Sequence, residues 1–365
     1  MDARPSDAEL VKLGLYDPDA PDAADQLRLM NDVFDLGATL DEVIRAVRSR
    51  SSLGPLMLDL AMRPSGETMD LASFVATEPD GDLVRRIWSA LGFPDSKSPT
   101  VRVTPDAAEA LRLMTKMAAL LGEEVTLGVA RVLGSSMARM AETISGAFRV
   151  VVEVPQLNEG KAYAEVAEDY TSTVRDLLPS FLEAVEAVFR RHLVNVSYQM
   201  WSTDEEQSAV TLERTVCFAD LVGSTEALRS ISIREMATML RRFEEHVWDL
   251  VSASGGRVVK LIGDEAMFVL DDPSLACRVG LDLIELSEYP VRIGMAHGTV
   301  VGLNGDYYGE VVNLAARIVT MAEPSTVVVS ETVRDQADPK LAFEALGPSV
   351  PKGFVNPIPL YRVSR

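Results

Sequence analysis

Two short stretches carry residue types suited to phosphate chemistry. Val216-Cys-Phe-Ala-Asp220-Leu-Val-Gly-Ser-Thr225 is an apolar run ending in an aspartate and a Gly-Ser-Thr turn. Lys260-Leu-Ile-Gly-Asp-Glu265 repeats the plan, with Asp264 beside a glycine. A lone aspartate after a strand is most often a turn or cap residue. Two of them brought together offer the hard oxygen ligands that Mg²⁺ or Mn²⁺ prefer. A strand that enters a glycine turn and then a helix also presents free backbone N–H groups, which suit phosphate oxygens. By themselves these features fit many enzymes.

A third stretch, Gly305-Asp-Tyr-Tyr-Gly-Glu-Val-Val-Asn313-Leu-Ala-Ala-Arg317, adds a different chemistry. Asn313 and Arg317 are four apart and share a face if the segment is helical. An amide and a guanidinium aimed the same way can grip a phosphate whose charge grows in a transition state. A surface polar pair is the plainer reading of that spacing.

The elements that must position these residues fall into two halves. Residues 1–200 read as helical throughout. Thr39-Leu-Asp-Glu42 has a capping-box pattern, and Thr104-Pro105 is a strong helix start. Val125, Val129, Val132, Leu133, Met137, Met140 and Ile144 form an apolar face among many small residues. The expectation for that face is bundle core, with an apolar cavity or dimer surface as the alternative. Pro179 is expected to open the last long helix, on which Leu178, Leu182, Val185, Phe189, Leu193 and Val196 predict one buried stripe. Residues 201–211 are polar and aperiodic and read as a linker. From 212 to 365 strands and helices alternate. A helix is expected over 233–253, a hairpin turning at Gly263-Asp264, a strand over 291–301 broken at His297-Gly298, a helix over 311–321, and a last strand over 360–363 that closes a mixed or antiparallel sheet.

The chain has 365 residues, 47% of them hydrophobic and 25% charged, which predicts two globular domains. Its formal charge of −20 disfavours nucleic acid and anionic lipid surfaces, though not a nucleotide carried with a metal ion. The two cysteines, Cys217 and Cys277, sit in apolar runs and read as core residues of a reducing compartment. With neither a signal-peptide pattern nor a transmembrane run, a cytoplasmic location is expected.

Taken together, Phe218-Ala-Asp220-Leu-Val-Gly223-Ser-Thr225, Lys260-Leu-Ile-Gly-Asp264-Glu, Gly294-Met-Ala-His-Gly298 and Asp306-Tyr-Tyr-Gly-Glu-Val-Val-Asn313-Leu-Ala-Ala-Arg317 resemble the catalytic domain of class III nucleotidyl cyclases. The helical half resembles the regulatory domain of soluble actinobacterial adenylate cyclases through Gly14-Leu-Tyr-Asp-Pro and Asp35-Leu-Gly-Ala-Thr-Leu. The resemblance implies an all-α regulatory domain before an α+β, ferredoxin-like βαββαβ catalytic domain. It implies two Mg²⁺ or Mn²⁺ ions per active site, on Asp220, Asp264 and the carbonyl of Leu221. It makes Lys260 and Asp306 the readers of the base, and Asn313 and Arg317 the transition-state residues. Phe218, Gly223, Ser224 and Thr225 would complete the substrate site. Partners implied are ATP and a second copy of the chain, with two active sites at a homodimer interface.

Adenine offers an acceptor at N1 and a donor at N6, which suits a lysine with an aspartate. Guanine reverses both, so the pair favours ATP over GTP. His297 reads as structural, and Lys352 is a candidate for the triphosphate tail. Other readings are a catalytically silent cyclase-like dimer that senses nucleotide or lipid, and a guanylate or diguanylate cyclase. The helical half is expected to control activity in response to pH, with His192 as one titrating group, or to an apolar or lipid ligand.

Overall fold

The computed structural model describes all residues except 1–3, 51–52, 64–67, 95–101, 202–210 and 224–231. The chain divides into two compact units, Met1–Tyr198 and Gln199–Arg365.

Among its described residues the first unit has ten α-helices: α1 (Asp7–Lys12), α2 (Ala23–Asp35), α3 (Leu40–Arg50), α4 (Gly54–Met62), α5 (Leu71–Thr77), α6 (Gly81–Ala90), α7 (Pro105–Leu121), α8 (Glu123–Phe148), α9 (Val154–Asn158) and α10 (Tyr163–Trp201). A two-residue antiparallel pair, β1 (Met69–Asp70) with β2 (Arg102–Val103), departs from the all-α expectation. Leu10, Met30, Val33, Val43 and Met57 form one core with Ala164 and Ala167 of α10. Phe74, Ile87, Trp88, Leu111 and Leu127 form a second beneath α5–α8. The Thr39–Glu42 capping box is present, its threonine N–H donating to the Glu42 carboxylate at 2.9 Å.

Three expectations fail here for physical reasons. Helix α10 begins at Tyr163 and runs through Pro179. Its first turns are fastened by Ala164, Val166 and Thr171, all buried, so tertiary packing outweighs the one backbone bond that proline removes. The apolar stripe beyond Pro179 is not buried within the chain: Leu182, Phe189, Leu193 and Val196 are 56%, 63%, 55% and 43% exposed. The apolar face of α8 is likewise open at Val129, Leu133, Met137 and Ile144, so it is not bundle core.

The second unit contains β3 (Thr211–Leu221), α11 (Ile233–Ala253), β4 (Arg257–Ile262), β5 (Glu265–Leu270), α12 (Pro273–Leu286), β6 (Val291–Leu303), β7 (Asp306–Tyr308), α13 (Glu310–Met321), β8 (Val327–Ser330), α14 (Glu331–Gln336), β9 (Ala342–Ser349) and β10 (Ile358–Ser364). The main strand order is β4-β5-β3-β6-β8-β10-β9, with β7 paired to the end of β6. Among the described strands, β6 and β8 are the one parallel pair. The run β3-α11-β4-β5-α12-β6, with β3 and β5 central, is a βαββαβ arrangement with helices layered on the sheet.

Alternation along β3 divides the core in two. Cys217, Ala219 and Leu221 face a cluster with Phe243 and Val247 of α11 and Cys277 and Leu283 of α12. Val216 and Phe218 face the opposite cluster, with Ala315, Ile318 and Val319 of α13. Strand β6 is not broken at His297-Gly298, because both residues pair with β3 opposite Thr215 and Arg214. The last strand, β10, does not close the sheet, since β9 lies outside it.

Helix α13 sits unusually close to β6 at one point. A Cβ on Gly294 would collide with the backbone N of Val319 and lie 2.8 Å from the carbonyl oxygen of Ala315. No flexible side chain is there to yield. We therefore expect Gly294→Ala to destabilise the chain by roughly 1–3 kcal/mol, read as a lower melting temperature than that of Gly302→Ala, where the added carbon has room.

Candidate active site

Asp220 continues the β3 alternation after Phe218 and so comes to the α13 face at the strand's end. The register places Glu265 of β5 on one side of it and Arg292 of β6 on the other. The Arg292 guanidinium grips Asp220, with Nε donating to Oδ2 at 2.7 Å and the terminal nitrogen 2.5 Å from the same oxygen. Asp264 occupies the β4–β5 turn, and its carbonyl accepts the Leu221 N–H at 3.2 Å. That bond ties the turn to the end of β3.

Glu265 senses how much negative charge collects here. Burial pushes its carboxyl above the usual range; Asp220 and Asp264 push the same way, and Arg292 opposes them. One guanidinium thus stands among three carboxylates. Among the described residues no three such carboxylates stand close enough together to hold a metal ion by themselves, so a cation here would need ligands beyond these side chains. Asp220, Asp264 and the Leu221 carbonyl are the atoms that would hold it.

Lys260 and Asp306 form a second group. Lys260 Nζ lies 2.5 Å from Asp306 Oδ2, with both side chains partly exposed. Lys260 reaches this position through a bulge in β4. Val258 aligns with Phe268, but Lys260 aligns with Met267, so Val259 is an extra residue. Val258 and Leu261 consequently face the same cluster although they are three apart. Without the extra residue, simple alternation would turn Lys260 toward the α11–α12 side. The bulge sends it to the α13 side, which Asp220 shares.

The third group lies on α13. Asn313 and Arg317, both exposed and one turn apart, line a cleft of about 800 Å³. Lys352, Phe354 and Asn356 line its other wall. Neither Asp220 nor Asp264 borders that cleft. Within one chain, therefore, the carboxylate cluster and the Asn313–Arg317 face are separate features.

Phe218 is 5% exposed and packs in the core, so it supports the sheet rather than presenting a free ring. Gly223 forms the turn after β3, while Ser224 and Thr225 lie outside the described residues. His192 is exposed on α10. Among the described residues no helix is long and apolar enough to cross a membrane. Sequence reasoning overlooked Arg292 and Glu265. The signal for Arg292 was a charge at the start of an otherwise apolar strand.

Residues 206–357 match the model of the adenylate and guanylate cyclase catalytic domain. An uncharacterized protein of Mycobacterium tuberculosis strain H37Rv is 32% identical over 338 residues, covering 90% of this chain and 88% of its own. The adenylate cyclase of Streptomyces coelicolor is 32% identical over 283 residues, or 76% and 70%. A protein of Mycobacterium tuberculosis strain CDC 1551 named pH-sensitive adenylate cyclase is 25% identical over 365 residues, or 94% and 88%.

His297 is structural. It is 7% exposed, its Nδ1 lies 2.9 Å from the Thr215 hydroxyl, and its carbonyl accepts from Thr332 at 2.9 Å. Burial lowers its pKa, while Glu213 and Asp272 oppose that shift. Its folded pKa lies below its unfolded value, so its contribution to stability is complete above the unfolded pKa of about 6.5 and fades as pH falls below it. The wild-type melting temperature should therefore drop more steeply from about pH 7 to pH 5.5 than that of His297→Gln, whose neutral side chain takes up no proton. Parallel slopes would remove His297 from that account.

Proposed function

The chain belongs to the adenylate and guanylate cyclase family, and from that premise we propose that it converts ATP to 3′,5′-cyclic AMP and pyrophosphate at sites shared between two copies. The observation that carries adenine is the Lys260–Asp306 pair, a donor and an acceptor presented side by side. Lys260 gives a hydrogen bond to N1 and Asp306 takes one from N6. Guanine would set donor against donor and acceptor against acceptor, and such buried mismatches give the largest discrimination.

The ribose 3′ oxygen attacks the α-phosphorus, the bond to the β-phosphate bridging oxygen breaks, and the hydroxyl proton leaves to water. Arg317 and Asn313 donate to the phosphoryl oxygens where charge develops. Lys352, on the opposite wall of the same cleft, neutralises the triphosphate tail. Asp220 and Asp264, with the Leu221 carbonyl, would hold two Mg²⁺ or Mn²⁺ ions, which when bound would supply acidity at the 3′ hydroxyl and charge neutralisation on the phosphates.

Two observations support the homodimer. The cleft that holds Asn313 and Arg317 lacks the metal carboxylates, so a whole site draws each half from a different copy. The exposed apolar faces of α8 and α10 offer further surface for a second copy or for an apolar ligand. We assign 1–200 to regulation, 201–211 to a linker and 212–365 to catalysis. The pH-sensitive relative spans both halves of this chain, which supports pH as the regulatory input.

The test is turnover of ATP with Mn²⁺ by the purified chain. Asp220→Ala and Arg317→Ala should each lower the rate by roughly 10²-fold or more, as loss of a metal ligand or a transition-state donor does. Because the two lesions fall in different halves, mixing the inactive variants should restore one intact site per mixed dimer. A silent wild type would leave the non-catalytic dimer as the reading. Active wild type without recovery in the mixture would instead place the whole site in one copy.

A further inference from the structure

Asp306 is held by very little chain. It opens β7, a strand of three residues that, among the described strands, pairs with the end of β6 alone. It follows a two-residue turn, Asn304-Gly305, flanked by the Leu303–Asp306 pair. Both turn residues have positive φ, 53° and 77°, the signature of a type I′ hairpin. The turn aims Asp306 locally. It does not set the distance to Lys260, which stands on β4 with β5 and β3 lying between β4 and β6.

Besides Lys260 itself, a second side chain of β4 spans that gap. Arg257 lies on β4, three residues before Lys260, and its guanidinium donates to the Gly305 carbonyl. The same guanidinium lies over the Tyr307 ring, 5.5 Å from its centroid. Gly305 and Tyr307 are the residues on either side of Asp306. The Tyr307 N–H in turn donates to Asp306 Oδ1 at 2.8 Å, leaving Oδ2 for Lys260. Strand β4 thus reaches the β6–β7 hairpin twice, once through Lys260 on the Asp306 carboxylate and once through a clamp on the backbone beside Asp306. A planar guanidinium can donate to a carbonyl and cover a ring at once.

We propose that Arg257 is a positioning residue for base selection, holding Asp306 at the spacing from Lys260 that admits adenine and rejects guanine. This rests on the reading of Lys260 and Asp306 as base readers. Lys260 alone is a poor guarantor of that spacing, because its ammonium must turn to the base when substrate enters. Arg257 keeps the hairpin in place while it does so. Arg257 is itself exposed, so its replacement does not open the core.

The experiment uses the full chain as wild type, Arg257→Lys, Arg257→Gln, Asp306→Asn and the Arg257→Gln/Asp306→Asn double variant. KM and kcat are measured with ATP and with GTP in Mn²⁺. Arg257→Gln should raise KM for ATP and narrow the ATP-over-GTP ratio of kcat/KM by about tenfold, at an unchanged melting temperature, as small misplacements of a contact group do. Arg257→Lys should recover part of the ratio. In the Asp306→Asn background, Arg257→Gln should narrow it no further, since both changes act on one contact. An equal loss with both nucleotides, an unchanged ratio, or additive effects would overturn the clamp. If wild type turns over neither nucleotide, the cyclase reading fails by itself. Calorimetric binding of α,β-methylene ATP and GTP analogues to the same proteins then decides the clamp by the same ratio.

Discussion

The register of β3 is the constraint on which the second unit depends. Val216, Cys217 and Ala219 have no exposed surface, so this strand can neither slip nor rotate without burying the wrong face. Its alternation sends Asp220 to the α13 side, and its two neighbours bring Glu265 and Arg292 alongside. The same frame, carried through β5, makes the extra residue at Val259 meaningful, because a bulge redirects a side chain only against a fixed register. Carried through β6, it places Gly294 beneath α13 and so fixes the axis from which Asn313 and Arg317 project.

Charge explains why these groups are arranged apart. In a chain of net charge −20, three carboxylates meet at the end of β3 with one arginine among them. Arg317 and Lys352 meet across another cleft, away from Asp220 and Asp264. Had both sets shared one surface within one chain, they would neutralise each other as ion pairs and be spent before substrate arrived. Lys260 and Asp306 do pair in this way. That contact is partly exposed and so worth little.

Much of this was legible from sequence where local signals and tertiary demands agree. The helix Ile233–Ala253 and the turn at Gly263-Asp264 are read directly from periodicity and glycine. Strand β9 was not. Its residues, Ala342–Ser349, include Gly347 and Pro348 and are mostly exposed, so an edge strand of this kind has no apolar alternation to betray it. The short β7 and α14 escaped because three and six residues carry too little period. The α10 stripe was recognised correctly as apolar and placed wrongly as buried, since periodicity reports a face that wants cover without saying which molecule supplies it. The candidate site residues could be named by type and spacing, but the Asp220–Arg292 contact could not, being set by cross-strand register rather than by any local pattern.

Those open apolar faces bear on control once the active site is understood as two halves. If each site needs two copies, activity follows the population of correctly paired chains, and that population obeys mass action. Covering Leu182, Phe189 and Leu193 against a second copy would add hydrophobic driving force outside the active site, at about 25 cal/mol for each Å² of apolar surface removed from water. A proton or an apolar ligand need not approach Asp220 or Arg317 to alter turnover. It need only bind one arrangement of the helical unit better than another, and it can shift the pairing by no more than that difference in affinity. On that reading regulation and catalysis would share one equilibrium, with the helical unit setting its position and the βαββαβ unit reading it out.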